Sequence, residues 1–106
     1  MSRDARTGLQ MQISFKGRKV VVAGGSRGIG RSIALAFAAE GADLAICARS
    51  AQGLEAAEAE LKQHGGKVFT MPCDLGEPSA AAGFVRAAAG ALDGIDIGVD
   101  VLHFDL

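Results

Sequence analysis

From Lys19 onward, short unbroken apolar runs alternate with longer stretches in which apolar residues recur every three or four positions. Val20-Val21-Val22-Ala23, Leu44-Ala45-Ile46-Cys47 and Val68-Phe69-Thr70-Met71 are apolar without alternation, as strands buried on both faces of a parallel sheet are. Ile95 to Ile97, continuing toward Leu102, predicts a fourth strand. Between the strands, Ile29, Ile33 and Phe37 space one helix that ends near Gly41, with Arg31, Ser32 and Glu40 off its apolar line. Leu54, Ala57 and Leu61 space a second, which carries a Glu58/Lys62 pair on its outer side and ends at Gly65-Gly66. A third starts at Pro78 and shows Ala81, Phe84, Val85, Ala88 and Leu92 as its stripe. Strands alternating with helices imply an α/β fold, a parallel sheet with right-handed crossovers.

Residues 1–17 form an extension and lead-in, polar and aperiodic over Met1 to Gln10. With 106 residues, 49% hydrophobic and 22% charged, the chain has the size and make-up of one globular domain with a modest core. The formal charge of −1, without a block of like charges, gives no reason to expect nucleic acid or membrane as a partner, so a small molecule is the default. Cys47 and Cys73 sit in apolar runs without metal or disulfide-framework spacing and read as reduced and buried, which suits a cytoplasmic protein. The first 18 residues hold no continuous apolar stretch, so no signal peptide or membrane span is expected there. His64 and His103 have no partner at metal or catalytic spacing, and no metal site is expected.

The candidate chemistry lies in Gly24-Gly25-Ser26-Arg27-Gly28-Ile29-Gly30, between the first strand and first helix. A helix N-terminus offers unpaired N–H groups and a positive dipole end to an anion, and glycines let backbone approach a phosphate without Cβ clashes. Gly25 to Ser32 also reads G-x-x-x-x-G-R-S, one residue from a nucleoside triphosphate loop. Arg31 stands where that loop needs a lysine, and arginine does not replace its compact charge. The end of the second strand distinguishes the dinucleotides, since an acid there holds a ribose 2′-hydroxyl and a base accommodates a 2′-phosphate. Here Ala48 is followed by Arg49, and Arg27 lies in the loop, which favours NADP(H) over NAD(H).

The spacing G-x-x-x-G-x-G over Gly24, Gly28 and Gly30 resembles the short-chain dehydrogenase/reductase family, with Ala23 where that family normally has threonine. Asp74-Leu75 is similar to the family's acid-hydrophobic pair, and Gly94-Ile95-Asp96-Ile97 to its approach to the fourth strand. The resemblance implies a partial Rossmann fold over residues 18–97, strand order 3-2-1-4, with two helices on one face and one on the other. It implies an oxidoreductase that interconverts a carbonyl and an alcohol by hydride transfer. The cofactor-binding residues it implies are Gly24, Ser26, Arg27, Gly28, Ile29, Gly30, Arg49, Ser50, Asp74 and Leu75, with Asp74 toward the adenine. On position alone, Asp74 reads equally as a turn or cap residue before Glu77-Pro78.

The resemblance breaks at Gly98, where an Asn-Asn-Ala-Gly element is expected and residues 98–106 read as a divergent tail. The family's catalytic set is implied to be Tyr, Lys and Ser, yet the sequence contains no tyrosine, so no catalytic residue is assigned. Two other readings stay open: a non-catalytic NADP(H)-binding or interaction module, and a non-functional frameshift or truncation product. A fourth strand left at the sheet edge is also expected to promote self-association.

Overall fold

The computed structural model describes residues 15–26 and 28–100. Expectations placed on the first 14 residues, on Arg27 and on residues 101–106 lie outside these. The elements run β1 (Lys19–Ala23), α1 (Gly28–Ala39), β2 (Asp43–Ala48), α2 (Ala51–Lys62), β3 (Val68–Pro72), α3 (Pro78–Leu92) and β4 (Ile97–Asp100). All strands are parallel, in the order β3-β2-β1-β4.

Each face of this sheet has its own core. On one, Val20, Val22, Leu44 and Ile46 meet Ala34 and Ala38 of α1 and Leu54, Ala57 and Leu61 of α2. On the other, Val21, Ala45, Cys47 and Cys73 meet Phe84, Ala88 and Leu92 of α3. The alternation within β1, with Val20 and Val22 to one side and Val21 to the other, is why its sequence is apolar throughout. Two aspartates fix how the strands enter the sheet. Asp96 accepts from Lys19 N through its carboxylate (2.8 Å) and donates its own N–H to Lys19 O (2.8 Å), pinning the approach to β4 against β1. Asp43 accepts from Lys67 N (2.9 Å) just before β3. Glu58 joins α2 to β3 by accepting from Thr70 Oγ1 at 3.1 Å, and it pairs with Lys62 at 2.8 Å. Its bond with Lys62, then that with Thr70, holds its carboxyl below the ordinary value of 4.5.

Three sequence expectations shift. In α1 the buried line is Gly30, Ala34 and Ala38, while Ile29 is 56% exposed and Ile33 and Phe37 flank the core. Small residues allow α1 to lie close to the strands, and the larger ones pack at its margins, as Phe37 does edge-on to Phe15 at 5.0 Å. In α3, Phe84, Ala88 and Leu92 are buried but Val85 is 46% exposed. Strand β4 starts at Ile97 rather than Ile95 and keeps regular pairing with β1 through Asp100, along the continuation toward Leu102 that the sequence predicts.

On the α3 side, Val21, Phe84, Val85, Gly98 and Asp100 help to line an apolar pocket of about 270 Å³ beside β4. Phe84→Ala should cost about 3–5 kcal/mol in urea unfolding, because it removes a fully buried ring, whereas Val85→Ala should stay within about 0.5 kcal/mol. Equal costs would contradict this orientation of α3.

Candidate cofactor site

The register aligns Ala23 with Cys47 and Ala48 with Pro72, so β1, β2 and β3 end together along one edge. Three loops rise from it: Gly24 to Ser26, Arg49-Ser50, and Cys73 to Gly76. In a parallel α/β sheet this carboxyl edge is where ligands bind.

Among the described residues the first loop is held by backbone hydrogen bonds. Gly24 N and Gly25 N both donate to Cys47 O, at 2.9 and 3.2 Å, which folds the chain back over β2. Gly30 then passes so near that an added Cβ would lie 2.0 Å from Gly24 O. Gly28 opens α1 at φ +62°, with nothing within 4 Å of where its Cβ would be. The loop is therefore closed on its protein side and open on its outer side. The N–H groups of Gly28, Ile29 and Gly30 begin α1 and have no acceptor within the helix, so the opening faces donors and a positive dipole end.

The second loop leads into α2. Ser50 caps that helix, its hydroxyl oxygen accepting from Gly53 N at 3.1 Å, and the hydroxyl hydrogen is left to donate elsewhere. Ser26, only 9% exposed, comes to the same place: a Cβ at Gly53 would lie 3.6 Å from both the Ser26 and the Ser50 hydroxyl oxygens. Arg49 beside them is exposed and makes no ion pair among the described residues. In the third loop Asp74 is exposed and accepts from Gly76 N at 3.0 Å, which is a turn role, and Leu75 is half-buried against the second core. The structure thus brings the glycine loop, Ser26, Arg49 and Ser50 together and sets Asp74-Leu75 on the next loop along the edge.

Two contacts here were not apparent from sequence. Cys47 and Cys73, 26 positions apart, meet in one core cluster under the edge, both free and buried. Burial, with Cys73 adding to it, pushes the Cys47 thiol up to about 12, so it is a packed thiol and not a nucleophile. The other contact belongs to Arg31, the residue that decides against a triphosphate loop. Its Nε donates to Glu60 Oε1 of α2 at 2.8 Å, and its Nη2 reaches the same oxygen.

The short chain dehydrogenase family model matches residues 18–101, from the lead-in of β1 through the end of β4. The chain belongs to the short-chain dehydrogenase family. It is 39% identical over 80 residues to an uncharacterized oxidoreductase of Mycobacterium tuberculosis, a match that takes in 76% of this chain and 30% of that protein. A metagenomic short-chain oxidoreductase in complex with NADP superposes at a TM-score of 0.73 with 35% identity, covering 81% of this chain and 39% of the other. An NAD+-bound xylitol dehydrogenase superposes at 0.77 with 29% identity, covering 81% and 33%. This chain therefore spans about a third of the length of these relatives.

The close approach of Gly30 gives the family loop a specific sensitivity. Gly30→Ala should lower stability by about 1–3 kcal/mol through overpacking against Gly24 O. Gly28→Ala should cost roughly 1–2 kcal/mol from its left-handed backbone alone. Urea titrations of the two variants check both values, and an unperturbed Gly30→Ala would contradict the loop geometry.

Proposed function

We propose that this domain binds a nicotinamide dinucleotide at the Gly24–Gly30 loop, prefers NADP(H), and is the cofactor-binding part of a carbonyl/alcohol oxidoreductase. The observation that carries the reading is the open donor-lined mouth of α1 beside the cluster of Ser26, Arg49 and Ser50. A dinucleotide fits it: Gly28 leaves room for a pyrophosphate, and the first N–H groups of α1 supply donors to its oxygens. Ala48 presents no carboxylate to a 2′-phosphate, while Arg49 and the two hydroxyls offer charge-assisted hydrogen bonds to it. Arg27 is placed by sequence to join them. Asp74, exposed on the neighbouring loop, has a carboxylate to offer an adenine amino group, and Leu75 supports that loop from below. Relatives with NADP and with NAD+ exist, so the preference rests on the chain's own Ala48-Arg49 pair.

The bound cofactor would supply the hydride. The role of this chain is to bind and orient it, since the family's tyrosine proton donor has no counterpart in a sequence with no tyrosine. In our reading, substrate recognition and proton transfer belong to the part of the family fold outside these 106 residues, so the isolated chain binds cofactor without turnover. The free buried thiols and the described helices, none long and apolar enough to cross a membrane, support a cytoplasmic setting. Nucleic acid is not among its proposed partners.

Arg49→Ala should weaken NADPH binding by roughly 1.5–3 kcal/mol in calorimetric titration and leave NADH binding unchanged. Equal losses for both would overturn the NADP(H) assignment. Among the described residues β4 is an edge of the sheet, next to the apolar pocket, which supports pairing between copies of the chain. Sedimentation should show a mass that rises with concentration, and a monomer at every concentration would contradict this.

A further inference from the structure

Arg31 lies one position past Gly30, in the first turn of α1, where a cation would be in reach of a phosphate held by the loop. Helical side chains lean toward the N-terminus of their helix, so an unpaired guanidinium at this position leans back over the loop. In this structure it is committed elsewhere. Both Nε and Nη2 are directed at Glu60 Oε1, across the α1–α2 interface, and the two side chains are only partly exposed, at 35% and 40%.

We propose that Glu60 is a specificity-determining residue: it holds Arg31 off the phosphate loop and so tunes the loop to a dinucleotide rather than to more highly charged polyphosphates. The inference rests on the dinucleotide reading above. A dinucleotide's pyrophosphate is a diester, with one charge on each phosphorus, and neutral N–H donors at a helix end suit it. Inorganic pyrophosphate and nucleoside triphosphates carry additional charge and gain more from a nearby cation, because the attraction scales with the product of charges. Engaging Arg31 with Glu60 removes that advantage while leaving the N–H donors in place.

The test is calorimetric titration of the purified chain at low salt with inorganic pyrophosphate and, separately, with NADPH. The proteins compared are wild type, Glu60→Gln, Arg31→Gln and the double variant. Glu60→Gln should bind pyrophosphate about three- to fivefold more tightly than wild type, the factor corresponding to an exposed ion pair, with a smaller gain for NADPH. The double variant should return to the wild-type value. Glu60→Asp, which keeps the charge but shortens its reach, should show a gain of the same sign if Glu60→Gln does not fold. A residue with a purely structural role weakens binding when removed, so the direction of change separates the two roles. Unchanged or weaker pyrophosphate binding by the folded variant, or a gain that persists in the double variant, would overturn the proposal. If wild type does not bind NADPH, the dinucleotide reading fails, and the pyrophosphate comparison still decides whether Glu60 restrains Arg31.

Discussion

A side chain at position 30 would put its Cβ 2.0 Å from the Gly24 carbonyl oxygen, and the arrangement of the site follows from that approach. Bringing the first turn of α1 against the end of β1 leaves no room for a Cβ, and this closeness aims the helix's unpaired N–H groups at the opening above the loop. The same constraint selects Ala34 and Ala38 beneath, because a helix this near the strands admits only small residues along its buried line. The Cys47 carbonyl completes the turn by taking both Gly24 N and Gly25 N, so β2 holds the loop from below. In the proposed site, phosphate binding is a property of backbone position, with side chains selecting among ligands.

That division explains how the chemistry is distributed along the edge. In the proposed site the loop after β1 would present backbone donors, with Arg27 the one charged residue its sequence adds. The loop after β2 provides charge and hydroxyls, with Ser26 reaching across to join Ser50 at the start of α2. Glu60 and Arg31 connect the same two helices, Arg31 from the first turn of α1 and Glu60 from the last turn of α2. The edge is therefore built from two parts that share one helix pair.

Much of this was legible in the sequence, for a physical reason. Strands buried on both faces must be apolar throughout, so β1, β2 and β3 were visible as unbroken runs, and the alternation of strand and helix fixed a parallel sheet. The stripe of α2 is legible because Leu54, Ala57 and Leu61, the residues that recur in sequence, are its buried line. In α1 the large Ile29, Ile33 and Phe37 outweigh the small residues that make the contact, so the apparent stripe lies one position from the buried one. Long-range pairings carried no sequence signal: Asp96 with Lys19, Arg31 with Glu60, and Cys47 with Cys73 are set by the register of the sheet and the tilt of the helices, not by local spacing. In the site, glycine spacing locates the loop, and the turn role that position alone allows Asp74 is the one its bond to Gly76 N shows.

In the proposed complex a dinucleotide lies on the N-terminus of α1 with its adenosine end toward Arg49. Amide chemical-shift mapping by NMR during titration with NADP+ tests it directly. Saturable shifts should concentrate at Gly28, Ile29, Gly30 and Ser50, with β4 and the pocket beside it unmoved. Shifts centred on Gly98, Val99 and Val85, or none at the loop at saturating cofactor, would contradict it.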